Sequence, residues 1–456
     1  LLHFLYTSTR RLLRTHIAPV ASVFFALSPL LPIAQNFAGN DRSRDWVPYD
    51  YAYNLLMSCK RDAILITNGD NDTFPLWFLQ EAEGIRRDVR VVNLSLLNTT
   101  WYIKQLKELQ PRVPISFSDA RIDALNAELN PLAEPTVYKQ AGAGITIQIP
   151  GRNQMHVLRV QDKALLNIVD TNRWRKPIYF AATVSNDNML GLQPYLQMQG
   201  LGYEILPQRV PAEQRLDVER TVFLLDKVYR FTGLGQTKRP LNETTIQMLS
   251  NYAACFLQVV IQMRDSLANL ADTTAALEQA LAAGPGSDSA ETLRDARAAA
   301  QTRYREKLDF VVTKLNQCVD IMPWDWRPRA LRHEMLLAHG RTEEALEKLR
   351  EARRIEPGNI QYMKMEVQTL DKLGRHTDAA EVLKDLARSD LDSWEVHALL
   401  CTRYEELGLW DSAIWVMQQF QRRHPVDRRA EAMMARLTAV GGAALQRRSE
   451  STTRMD

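Results

Sequence analysis

The sequence predicts an α/β domain followed by an all-α repeat solenoid, with an N-terminal membrane helix ahead of both. Three observations carry this. Residues 64–98 read as strand, acidic turn, helix and strand. From about Asn242 onward, Gly, Ala and Pro recur in a 34-residue frame. Residues 17–34 (IAPVASVFFALSPLLPIA) carry no charge over 18 positions, the short end of a membrane span.

The expected organisation follows from these. Residues 1–39 end a membrane region with one transmembrane helix at 17–34. Residues 40–210 form the α/β domain and 211–440 the helical repeats, with an insertion near 269–300. A disordered tail occupies 441–456. With 456 residues the chain can build two or three cores. A net charge of +3 gives no argument for nucleic acid as a partner. Cys59, Cys255, Cys318 and Cys401 are far apart, without metal-ligand spacing, and read as buried thiols. No cofactor motif and no metal-ligand set stands in the sequence.

At the N-terminus there is no initiator Met, which reads as a start inside a longer frame, with 1–6 the tail of a preceding span. Pro19, Pro29 and Pro32 would break a soluble core helix but are tolerated in a membrane helix. Arg10, Arg11, Arg14 and His16 precede the apolar run. By the positive-inside rule everything after Ala34 is then outside the cytoplasm. A signal peptide and a buried soluble hairpin are the competing readings.

Residues 49–60 read as a helix. Ile64-Leu65-Ile66 is a buried-type strand, Asn68-Gly69-Asp70-Asn71-Asp72 is turn chemistry, and Asp72 is placed to N-cap a helix that stops at Gly84. Residues 89–97 are a second strand, so the unit reads as a right-handed βαβ crossover. Its acidic loop lies at the carboxyl end of the first strand, where open α/β sheets bind ligands. Further on, 101–109 and 160–169 read as helices, 145–149 and 177–184 as strands, 191–200 as a helix and 203–206 as a last strand.

The repeat region has a definite phase. Gly340, Gly374 and Gly408 are 34 apart, as are Ala345, Ala379 and Ala413. Pro323, Pro357 and Pro425 fall in the same frame. This is the tetratricopeptide period: Gly for the tight turn, Ala for close helix approach, Pro for the turn after the second helix. A degenerate earlier repeat uses 244–263 and 304–321, with the stretch 269–300 as an inserted loop or helical extension. Trp324 and Trp326 read as inter-repeat packing.

The wording also carries a resemblance. GDNDTFPLWFLQEAEGIRRDVRVVNLSLLNTTWYIKQLK (69–107), YDYAYNLL (49–56), KPIYFAATVS (176–185) and LGLQPYLQMQGLGYEILP (190–207) resemble the bacterial membrane proteins of the protein O-mannosyltransferase-like family. These are related to the eukaryotic transmembrane O-mannosyltransferase with C-terminal tetratricopeptide repeats. The resemblance implies the C-terminal part of a multi-span glycosyltransferase in the bacterial inner membrane. It implies as partners membrane lipid, a lipid-phosphate-linked sugar for the full-length protein, and a protein or peptide in the repeat groove. It also implies a catalytic acid in an early loop, ahead of Leu1.

The residues leave three functions open. These are a part of such a transferase, a membrane-anchored repeat module that only binds protein, and a hydrolase using Asp70 and Asp72. Asn68, Asp70, Asn71 and Asp72 are the candidate ligand-binding residues, since clustered carboxylates suit a polar ligand or a hard cation. The competing reading is a helix cap plus a turn. One Gly in this loop is no phosphate cradle.

Overall fold

The computed structural model describes residues 7, 9, 18–43, 45–129, 136–232, 234, 243–284 and 287–452. The chain divides into two compact units, Leu1–Cys255 and Phe256–Asp456.

In the first unit, strands β1 (Ile64–Thr67), β2 (Arg90–Asn93), β7 (Ile178–Ala181), β8 (Leu196–Gln199) and β9 (Gly202–Ile205) form a sheet ordered β2-β1-β7-β9-β8. β1 pairs parallel with both β2 and β7, so Leu65 faces Val91 on one side and Tyr179 on the other. β7–β9 and β9–β8 are antiparallel. All four residues of β1 are fully buried, which is why it reads as an unbroken apolar run rather than an alternation. Elsewhere β3 (Glu128–Leu129) pairs with β6 (Val157–Leu158), and β4 (Thr136–Gln140) with β5 (Ile145–Ile149).

Helices Val47–Ser58, Thr100–Glu108 and Val160–Asn172 stand where the sequence places helices. The helix expected at 191–200 is absent. Pro194 sits in a short 3-10 turn, Gln193–Tyr195, and β8 follows. Leu196 and Met198 turn inward with period two. Gln199 is buried between Tyr179 Oη (3.1 Å) and Glu204 (2.7 Å), and Glu204 accepts from Lys60 at 2.8 Å. The strand expected over 89–97 ends at Asn93, because the Asn93 side chain accepts from Leu96 N at 2.9 Å and bends the chain into the 3-10 turn Leu96–Asn98.

The first unit reaches beyond the boundary expected at 210. Tyr229 Oη bonds Leu201 N at 2.8 Å, and Asn54 donates to Tyr252 Oη at 2.7 Å. These contacts tie 211–255 to the sheet's side.

The apolar N-terminus is two helices, Ala18–Leu27 and Leu30–Asn40, in place of one over 17–34. The break is at Ser28-Pro29, where the Ser28 hydroxyl donates to Phe25 O at 2.9 Å. Phe24, Phe25, Leu31 and Phe37 are all exposed. The apolar helical run there, Ser22–Phe37, is shorter than 18 residues. The helix Glu243–Ala282 has the length and composition to cross a membrane, but half of its apolar window is buried in protein. Arg10, Arg11, Arg14 and His16 lie outside the described residues.

The second unit is helical. The part of the helix Glu243–Ala282 beyond Cys255 and the helix Ser287–Ile321 form a hairpin, followed by the pairs Trp326–Ala338 with Thr342–Ile355, Ile360–Lys372 with His376–Ser389, and Trp394–Glu406 with Trp410–Arg423. Gly340, Gly374 and Gly408 have φ of 76°, 70° and 70° in the turns inside these pairs. At Gly340 and Gly374 a Cβ would meet nothing, so the left-handed backbone, not space, demands Gly. Ala345, Ala379 and Ala413 are fully buried. The stretch 269–300 extends both helices of the first hairpin, to 40 and 35 residues. Pro285 and Gly286 lie outside the described residues. The last helix, Arg428–Thr452, continues through most of the tail for which the sequence predicts disorder.

Trp324 and Trp326, expected as inter-repeat packing, are 36% and 48% exposed and so lie at the surface rather than in the core. Trp394 packs inside its own helix pair, edge-on to Phe420 at 5.8 Å.

Candidate functional site

The sheet builds a cleft at one edge. β1 and β7 are parallel neighbours, so their carboxyl ends emerge side by side. From β1 the chain turns through Asn68 and Gly69 into the helix Asp70–Glu81 and returns as β2. From β7 it turns through Ala182 and Thr183. The two turns leave a cleft of about 300 Å³, closed on a third side by Thr244, Gln247, Met248 and Asn251 of the helix Glu243–Ala282. A crevice between strands whose connections leave in opposite directions is where α/β sheets place ligands.

The four sequence candidates all line this cleft, with different duties. Gly69, not Asp72, occupies the N-cap position. Asp72 lies three residues on, 4% exposed, and its carboxylate reaches back. It accepts from Asn68 N at 2.8 Å and Gly69 N at 2.9 Å, and from the Thr183 hydroxyl. Asp72 therefore ties the end of β1 to the end of β7. Asn68 is equally committed: its side-chain oxygen accepts from Asn188 Nδ2 at 2.7 Å, and its carbonyl from Ser95 Oγ at 3.0 Å. Asn188 in turn accepts from Gln161, which exchanges bonds with Asn98 at 2.8 and 3.1 Å. Below it, Thr73 joins Thr67 (2.7 Å) and Asn93 (2.9 Å). The fully buried polar groups are thus satisfied. Asp70 and Asn71 are exposed on the rim, and among the described residues their side chains have no protein partner.

The lining holds two carboxylates and no cation. Asp72 already fills the helix N-terminus, the position where a phosphate would otherwise be welcome. The cleft therefore favours a neutral or cationic polar ligand over an anion. Among the described residues no group of three or more His, Cys, Asp or Glu could hold a metal ion. Tyr51, 1% exposed, accepts from Asn251 at 2.9 Å, and burial pushes its phenol well above 10, so it stays neutral.

Sequence reasoning missed Thr183, Gln247 and Asn251. Thr183 could have been found: it follows the second buried run, PIYFAA, as Asn68 follows ILIT, and parallel neighbours end at one edge. The helix residues carry no such signal, because only packing brings them to the loop. His333 is bonded to Thr369 Oγ1 at 2.7 Å and His397 to Ser393 O at 2.8 Å.

Comparison with known proteins bears on the same segment. The TMEM260-associated domain 2 family matches residues 48–140 and 110–222, and a tetratricopeptide repeat family matches 336–401. The mouse (Mus musculus) protein O-mannosyl-transferase TMEM260 is 30% identical over 110 residues, 24% of this chain. The chain spans about 16% of the length of that curated relative. Solved structures superpose loosely. MamA from Desulfovibrio magneticus is 14% identical, with 37% of this chain and 95% of that chain covered, at a TM-score of 0.24. A thermophilic tetratricopeptide repeat protein of Thermus thermophilus is 19% identical, with 40% and 97% covered, at 0.23. An α/β region carrying the TMEM260-associated domain and a C-terminal tetratricopeptide solenoid thus stand in one chain, and they relate it to an O-mannosyltransferase-like family with C-terminal tetratricopeptide repeats.

Proposed function

We propose that this chain works as the extracytoplasmic C-terminal part of a multi-span, O-mannosyltransferase-like membrane protein. In this reading the repeats hold a protein or peptide, and the α/β unit flanks the place where sugar is transferred from a lipid-phosphate-linked donor. The observation that carries the reading is the TMEM260-associated domain over 48–222, in the same chain as the repeats. The cleft's chemistry is compatible with it. Asp70 and Asn71 offer unspent polar groups at the rim, and the cation-free lining suits a hydroxyl-rich ligand better than a phosphate. A membrane-anchored repeat protein that only binds is the second reading, supported by the groove between the last repeats.

The test is mannosyl transfer in membranes holding the complete gene product, measured beside purified residues 40–456. Transfer by the membranes and none by the purified part is the expected outcome. Transfer by 40–456 alone, lost on Asp70→Asn, would move the chemistry into the cleft and overturn this reading. The orientation rests on Arg10, Arg11, Arg14 and His16 ahead of residues 17–34. A reporter active only in the cytoplasm, fused after Gly39, should stay silent; a bright signal reverses the topology.

A further inference from the structure

The repeat unit contains the same inter-repeat groove twice, one 34-residue step apart, with different floors. The first, about 600 Å³, lies among the helices Thr342–Ile355, Ile360–Lys372 and His376–Ser389. Its floor is filled by ions: Glu366, 2% exposed, takes Arg350 and Arg353 at 2.8 Å each. The second, about 510 Å³, lies among His376–Ser389, Trp394–Glu406 and Trp410–Arg423. There Lys384, Ala387 and Leu400 stand at the positions of Arg350, Arg353 and Glu366. The ion cluster is gone, and Ala387 and Leu400 leave an apolar floor.

The mouth of this second groove is apolar as well. Trp415 and Leu391 line it while 60% and 42% exposed. The lining sets Lys384, Arg388 and Arg423 beside one acid, Asp411, and just outside it Glu381 and Asp385 pair with Lys384 and Arg388 at 3.4 Å each. Arg388 lines both grooves, so the two adjoin. Arg354, Arg388 and Arg422 recur at the repeat period, and all three are exposed, which sets a row of cations along the stack. An exposed Trp beside an apolar floor with Arg at its rim is the composition of a binding hot spot, and Arg422 and Arg423, which hold no ion pair among the described residues, name the sign of the partner.

We infer that this groove binds an extended acidic protein segment. One aromatic or branched aliphatic side chain of that segment seats against Trp415, Leu391 and Leu400, and its carboxylates pair with Lys384, Arg388 and Arg423. The segment continues across the first groove along the arginine row. This deepens the protein-binding part of the function proposed above and rests on it for the class of partner only.

The experiment is fluorescence anisotropy with the complete chain in detergent. The probe is a short fluorescein-labelled peptide of Asp and Glu around one central Phe. Binding is expected, weakening as salt rises. It should fall at least about tenfold on Trp415→Ala, on the double change Arg388→Glu with Arg423→Glu, or on replacing the peptide's Phe with Ala. These positions are exposed, so unchanged thermal melting separates lost binding from lost folding. Trp101→Ala, an exposed Trp of the other unit, should leave binding intact. Equal binding of the peptide with Lys in place of its acids, or indifference to Trp415→Ala, overturns the proposal. So does binding to anionic lipid vesicles that depends on the same residues while the peptide fails to bind. If peptide binding fails while mannosyl transfer persists, the groove assignment alone falls. If the peptide binds and the complete protein transfers nothing, the functional reading alone falls.

Discussion

Replacing Asp72 with Ala should loosen the cleft, whereas replacing its neighbour Asp70 should not. The Asp72 carboxylate is buried and accepts from two backbone N–H groups and from the Thr183 hydroxyl. A hydrogen bond to a charged acceptor contributes about 1.5–3 kcal/mol. Asn68 and Gly69 are half-buried, so water replaces part of what their N–H groups lose. The expected cost is therefore about 2–4 kcal/mol rather than the full sum. Part of it comes from the helix start and part from the tie between β1 and β7. Amide exchange read by mass spectrometry on residues 64–81 isolates this segment from the repeats. If exchange there follows opening of this segment, it should accelerate by about thirtyfold to several hundredfold. Thr183→Val should give a smaller change of about 1 kcal/mol with the same pattern. Asp70→Asn, fully in water, should stay within about 0.5 kcal/mol. Unchanged exchange in Asp72→Ala, or equal effects at the two aspartates, would refute the assignment of Asp72 as the clasp.

Other expectations follow from the repeats and the buried titratable groups. Ala379→Leu or Ala413→Leu puts a large side chain where two helices touch and should cost about 1–3 kcal/mol, read as a lower melting temperature. Burial pushes the His333 imidazole from 6.5 down to about 4, with Lys372 adding to the effect. The unfolded chain therefore takes up a proton first, so stability complete above pH 6.5 is lost as pH falls toward 4. The loss is about 3 kcal/mol, and a His333→Gln variant should show a flatter acid limb in denaturant titrations. Burial raises the Cys59, Cys255 and Cys401 thiols to about 12. A water-soluble thiol reagent at neutral pH should label none of these three in the folded chain and all of them in denaturant.

The local chemistry of several elements was legible because single positions carried it. Gly374 can only mark a left-handed turn, and Ala379 only a close helix approach, so a 34-residue period read from letters became a stack of helix pairs. Ile64-Leu65-Ile66 read as a buried strand because every residue is apolar, and burial on both faces requires that. Asn68 to Asp72 read as a polar turn on a sheet's carboxyl edge and line a cleft there. Other elements resisted. LQPYLQMQ carries Pro and long side chains that suit a helix start, yet β9 offered an unpaired edge and Gln199 a buried partner in Glu204, so the segment became a strand. Trp324 and Trp326 looked like core by residue type alone, but a place in the turn and at the first residue of the next helix leaves them partly exposed.

What the sequence determined by itself was therefore local and periodic: turn residues, buried runs, the repeat frame and the polar loop after β1. Those depend on backbone sterics and on side-chain spacing along one segment. Only the tertiary structure decided which aspartate is spent and which is free. That depends on Thr183, 111 positions away, meeting Asp72 across two parallel strands. The same holds for the third wall of the cleft, which Gln247 and Asn251 supply from a distant helix. Nothing in the spacing of letters records such a contact, because it arises from packing of whole elements rather than from any one of them.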